Sequence, residues 1–170
     1  MMQGLQAMKD SAALLVYWDG EASDISWPEP CIVEYVTNGQ GGINSLSKGT
    51  IDAMMADKNT SIYDLIGIGN IRKKYPPQTS TEKTVMQTVI GDMMSAYPSE
   101  SYGIIFGSHG SGWLPTITGT RSIGQDGGRY SSDTALIPEL AEVLRTVNPQ
   151  KFDFVLFDAC MMGCARCIMS

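Results

Sequence analysis

Two short apolar runs constrain this chain more than any other feature: "YGIIFG" at Tyr102–Gly107 and "FDFVLFD" at Phe152–Asp158. Neither alternates polar and apolar residues through its centre, which suits strands covered on both faces in a parallel sheet. Two further runs bounded by turn residues, "ALLVYWD" (Ala13–Asp19) and "CIVEYVT" (Cys31–Thr37), also read as strands. Helical patterns lie between them. "TSTEKTVMQTVIGDMMSAY" opens with Thr79 and Glu82 at capping-box spacing, and Val85, Val89 and Met93 then recur on one helix face. "PELAEVLRTVNP" puts Pro138 at a first helical position, spaces Leu140, Val143, Leu144 and Val147 helically, and stops at Asn148-Pro149. Helix, strand, helix, strand from Glu82 to Asp158 is the rhythm of an α/β fold with a parallel sheet and crossover helices. Residues 38–50 and 115–133, rich in Gly and Ser, read as loops.

At 170 residues the chain suits one domain with a sizeable core. With 43% apolar and 18% charged residues it is too apolar for disorder. Its net charge of −6 and its longest basic run, Arg72–Lys74, argue against a nucleic-acid partner. No apolar run reaches the roughly 20 residues of a membrane span, and the first residues do not form a signal peptide. Four cysteines, with Cys31 apart from Cys160, Cys164 and Cys167, are too few for a disulfide scaffold.

Functional groups on a parallel sheet gather beyond the carboxyl ends of its strands. His109, the only histidine, comes two residues after "YGIIFG", and Cys160 comes two residues after "FDFVLFD". A helical crossover between the two runs makes them neighbours, so a thiol and an imidazole would face each other across adjacent strand ends. Such a pair suffices for nucleophilic catalysis, because the imidazole takes the proton of a thiol that is mostly protonated at neutral pH. Gly110 would let the backbone approach a bound carbonyl, with its N–H and that of Cys160 as an oxyanion hole. From spacing alone, an ordinary loop histidine and a small buried cysteine account for the pattern equally well.

"YGIIFGSHGSGW" followed by "FDFVLFDACMMG" resembles the clostripain family of cysteine peptidases, whose pattern is a strand ending in His-Gly and a second ending in Asp-Ala-Cys. "TRSIGQDGG" between them resembles bacterial members, and the likeness covers roughly residues 70–164. It implies a caspase-like three-layer α/β/α fold with a mostly parallel sheet, as a single domain over 1–170. It further implies Cys160 as nucleophile, His109 as general acid/base, and Gly110 and Cys160 as oxyanion-hole donors. Protein or peptide substrates cut after Arg or Lys are expected, with Asp158 holding the basic side chain; a carboxylate capping the next turn is the alternative for Asp158. Trp113 would wall the site or pack in the core, and Arg121 and Arg129 would be self-cleavage sites or solvent-facing charges. No cofactor is expected beyond the calcium dependence known in the family, and its bacterial members are commonly exported.

Other readings fit less well. Cys160, Cys164 and Cys167 reproduce the three-cysteine iron–sulfur spacing of radical S-adenosylmethionine enzymes, but only three residues follow them. Structural zinc lacks a fourth ligand in motif. "GSHGSG" is followed by Trp-Leu-Pro rather than a P-loop Lys-Ser/Thr. Ser108 and Ser111 lack the flanking glycines of a serine-hydrolase elbow. A retained scaffold acting as a binding or regulatory module is the competing functional class.

The chain ends ten residues after Cys160, and no strand precedes "GLQAMKDSAALLVYWDG", which resembles the family's first helix and second strand. The expectation is a fragment lacking the first strand and those after the cysteine. Its turnover would be low, and exposed sheet edges would favour self-association.

Overall fold

A computed structural model describes residues 2–7, 12–19, 29–108, 122–126, 133–148 and 152–159. It divides into two compact units: Met1–Gly20 with Ile25–Pro77, and Glu21–Asp24 with Gln78–Ser170.

The first unit carries helix α1 (Met2–Ala7), strands β1 (Ala13–Trp18) and β2 (Cys31–Val36), helices α2 (Lys48–Ala56) and α3 (Ile62–Gly67), and strand β3 (Asn70–Lys74). The sheet order is β1-β2-β3, antiparallel throughout. As the central strand, β2 buries Cys31 through Tyr35 without a break, which is why its sequence reads as continuously apolar apart from Glu34. Cys31, Val33 and Tyr35 lie on one face, opposite Trp18, Val16 and Leu14 of β1. They pack with Leu5, Ile43, Ile51 and Ile66 into the core of this unit.

The Gly- and Asn-rich stretch after β2 is an ordered turn rather than open loop. Asn38 Oδ1 accepts from the N–H groups of Gln40 and Gly42, and no Cβ fits at Gly42, hemmed in by Asn38 and the Leu46 carbonyl. Asn44 adopts a left-handed conformation (φ 53°). Its Oδ1 accepts from Val36 N at 3.0 Å and its Nδ2 donates to Ile68 O at 2.8 Å, tying strand, turn and helix end together. Ser47 caps α2, and Ser61 with Asp64 forms a reciprocal capping box on α3.

The second unit carries helix α4 (Lys83–Ala96), strands β4 (Gly103–Ser108), β5 (Ser122–Asp126) and β6 (Asp133–Leu136), helix α5 (Ile137–Val147) and strand β7 (Phe154–Ala159). Val89 and Ile90 of α4 and Leu140 and Val143 of α5 are buried, and Lys83 Nζ meets Glu142 Oε1 at 2.5 Å between the two helices. β4 and β7 pair in parallel, and β5 and β6 form an antiparallel hairpin.

Several expectations are corrected. The α/β character holds, but among the described residues only β4 and β7 are parallel; the other three strand pairs are antiparallel. Thr79 and Glu82 make no capping box: Glu82 is itself the N-cap of α4, without a side-chain cap bond, and its N–H goes to the Thr79 carbonyl in a preceding turn. The stretch 115–133 contains β5, which no apolar alternation announces. β7 is not covered on both faces, since Phe154, Val155 and Leu156 are exposed.

Candidate active site

The parallel ladder between β4 and β7 pairs Gly103 with Phe154 and continues, residue for residue, to Gly107 with Asp158 and Ser108 with Ala159. The offset is 51 residues at all six steps, with no bulge. Both strands run one residue further than their apolar cores suggest, so each ends immediately before a residue singled out for chemistry. His109 follows Ser108, Cys160 follows Ala159, and these two are separated by the same 51 residues.

The ladder is fixed along its length by contacts that the sequence hides. Phe106 and Phe157 stack with ring centroids 5.8 Å apart and planes 19° apart. Gly103 lies against the Phe154 ring so closely that a Cβ there would collide with it. Before the strands begin, Asp153 N donates to Tyr102 O at 2.8 Å and the Ser101 hydroxyl donates to the Asp153 carboxylate. Tyr102 braces the entry to β4, its hydroxyl accepting from Ser99 N and donating to Tyr97 O. The signal that could have revealed the lock is a glycine and an aromatic residue at the same 51-residue offset as the histidine and the cysteine.

Of the predicted site residues, Asp158 is described. It is exposed, lies across from Gly107, and has no hydrogen-bond or ion-pair partner among the described residues. His109, Gly110, Trp113, Arg121, Arg129, Cys160, Cys164 and Cys167 lie outside the described residues. Cys31 is buried and unbridged; burial pushes its thiol up from the ordinary value, which disfavours the reactive thiolate. Among the described residues no group of three or more His, Cys, Asp or Glu is arranged to hold a metal ion. No helix among them is long and apolar enough to cross a membrane. A shallow depression of about 350 Å³ beside α2 and α3 is lined by Asp57, Asn59, Thr60 and Asp64. Its carboxylates accept hydrogen bonds from their own turns and suggest no chemistry.

A model of the clostripain family matches residues 1–169. The chain belongs to the clostripain family. Comparison with curated proteins finds no match. Among solved structures, the chain is similar to a secreted C11 cysteine protease from Bacteroides thetaiotaomicron, determined by X-ray in complex with an irreversible peptide inhibitor. The two are 28% identical with a TM-score of 0.57, over 93% of this chain and 36% of that one. The chain thus spans about a third of the length of that clostripain relative.

Proposed function

We propose that this chain carries the dyad of a cysteine endopeptidase, with Cys160 as nucleophile and His109 as general acid/base, cutting proteins or peptides after Arg or Lys. The observation that carries the reading is the unbroken β4–β7 register, which brings Ser108 and Ala159 side by side at the ends of two strands running the same way. The residue that follows in sequence is His109 after β4 and Cys160 after β7. Membership of a peptidase family supports it independently.

The chemistry follows from the groups. His109 takes the Cys160 proton, and the thiolate adds to the scissile carbonyl. The N–H groups of Gly110 and Cys160 stabilise the oxyanion, each donor commonly worth roughly 10²–10³ in rate. The imidazolium then gives its proton to the departing amine, and water attacks the thioester with His109 as base, releasing the acid and the thiol. Asp158, exposed and without a cationic partner among the described residues, would hold the basic side chain of the substrate. Trp113 would wall the same site, and Arg121 and Arg129 would be self-cleavage positions.

In this reading the two units are parts of one caspase-like three-layer domain. The protein would be exported, as the similar Bacteroides enzyme is described to be. The exposed Phe154, Val155 and Leu156 of β7 would let the chain associate with itself.

The test is labelling with a peptide electrophile ending in Arg, followed by mass mapping. Modification of Cys160 that disappears in His109→Ala is the expected result. No labelling, or equal labelling of Cys160, Cys164 and Cys167, would leave a family scaffold without a working site.

A further inference from the structure

We propose that Gly107 is a specificity-determining residue: its missing side chain leaves the room beside Asp158 that a substrate's Arg or Lys side chain occupies. The inference rests on the reading of Asp158 as the acidic group of the substrate pocket, and adds the residue that gives access to it.

Gly107 and Asp158 are Cα partners in the parallel ladder, so their side-chain directions share one face of the strand pair. The Phe106–Phe157 stack, one step earlier on the opposite face, shows the same pairing carried out to the ring atoms. A Cβ at position 107 would stand roughly 5 Å from that of Asp158, the spacing between neighbouring strands. That is the width a methylene stem needs to run beside the carboxylate. Among the described residues, no atom lies within 4 Å of where this Cβ would be, and both residues are exposed. Among the described residues the space is therefore open, bordered on one side by an acid without a cationic partner among them.

Two residues back on the same face lie the partners Ile105 and Leu156. Leu156 is 52% exposed and offers an apolar surface for the aliphatic part of an Arg or Lys side chain while its charged head reaches Asp158. Gly107 differs in this from Gly103 on the same strand, where the Phe154 ring fills the space a side chain would take. One glycine serves packing; the other leaves a vacancy next to a charge.

The experiment compares second-order labelling rates at Cys160 for two peptide electrophiles identical except for a terminal Arg or Ala. Wild type should label at least tenfold faster with the Arg probe, and Asp158→Asn should bring the two rates together. Gly107→Val, a residue that suits a strand, should slow the Arg probe tenfold or more and change the Ala probe less than twofold, with Gly107→Ala in between. An unchanged Arg/Ala ratio in Gly107→Val, with the ratio lost in Asp158→Asn, overturns the role of Gly107 and leaves the acidic pocket standing. No Arg preference in wild type, or its survival in Asp158→Asn, overturns both. If Gly107→Val labels with neither probe, Gly107→Ala decides, and a wild-type ratio there overturns the inference.

Discussion

Arg72→Ala tests how the first unit tolerates a carboxylate in the middle of its central strand. The Glu34 side chain is 2% exposed and its Oε2 meets the Arg72 guanidinium at 2.5 Å. Asn70 Nδ2 adds only a long contact of 3.4 Å, and Oε1 is buried with no hydrogen-bond partner among the described residues. A register shift makes the pair possible: the ladder passes from Ile32–Lys73 to Val33–Ile71 and skips Arg72, and such a bulge re-aims the extra side chain. Removing the guanidinium leaves a buried charge with one weak bond. Breaking a buried pair in this way costs roughly 3–5 kcal/mol, but Arg72 is 48% exposed, so water screens part of the attraction and the expected loss is about 2–3 kcal/mol. For a chain of this size that lowers Tm by roughly 5–10 °C. Urea unfolding of wild type, Arg72→Ala, Glu34→Gln and the double variant measures it. Arg72→Ala/Glu34→Gln should be more stable than Arg72→Ala alone, with a coupling of at least about 1 kcal/mol. A loss below about 0.5 kcal/mol in Arg72→Ala, or strict additivity, would refute the argument, because either means that Glu34 does not depend on Arg72.

Asn44→Ala should cost about 2–3 kcal/mol, since it removes the bonds to Val36 N and Ile68 O and leaves alanine at positive φ. Asn44→Gly keeps the backbone conformation and should cost less; equal unfolding midpoints for the two would contradict this. Ser61→Ala should lose about 1 kcal/mol of helix capping at pH 7. Hydrogen bonds from the Ser61 hydroxyl and backbone N–H also hold the Asp64 carboxyl below its ordinary value, so the carboxylate's own contribution to the capping box is present above an unfolded-state pKa of about 3.9 and fades as pH falls through the lower folded-state value. Thermal melts from pH 7 to pH 3 should therefore show the gap between Ser61→Ala and wild type narrowing at the acid end, and a gap that widens would reverse the sign. Gly103→Val should collide with the Phe154 ring, cost about 1–3 kcal/mol and slow labelling at Cys160, with both effects relieved in Gly103→Val/Phe154→Ala. If Gly103→Val melts and labels like wild type, the ring contact does not hold the register.

What could be read from the sequence follows burial. β2, α4 and α5 were legible because burial writes continuous or helically spaced apolar residues into them, as at Ile32–Val33, Val89–Ile90 and Leu140–Val143. β4 and β7 were legible as apolar runs, although β7 is largely exposed here, and their adjacency followed from the crossover between them. β3 escaped because Asn70–Lys74 is exposed at every position and its order comes from ladder bonds to β2, which leave no hydrophobic trace. α3 escaped because it is only six residues long and, among its described side chains, Ile66 alone is buried, which gives no period to read. The expectation of a parallel sheet failed in the first unit because an apolar run shows that a strand is buried and says nothing of its direction. Of the candidate site, the order and spacing of His109 and Cys160 were legible. The register that makes their spacing meaningful was not, because it rests on Gly103, Phe106, Phe154 and Phe157, which look like ordinary strand residues one at a time.

That register links fold to chemistry. In a parallel pair every residue has a fixed partner, and a slip of one position moves each side chain to the other face. A slip of β7 by one residue would set Phe154 opposite Ile104 or Tyr102, both of which carry a side chain where Gly103 has none, and would part Phe106 from Phe157. The same slip would set Asp158 opposite Ser108, or Ala159 opposite Gly107, and change which residues end the two strands side by side. Contacts at the strand starts, about 17 Å from the strand ends at the usual rise per residue, thus decide which residues end the two strands side by side. The apolar exposure of β7 acts in the other direction. Phe154 and Leu156 gain from any cover they find, but cover that pulled Phe154 off Gly103 would surrender the contact that sets the offset. Val155 lies on the face opposite Phe154 and Leu156, so cover over Val155 alone leaves the Gly103 contact in place, whereas cover that shifts Phe154 does not.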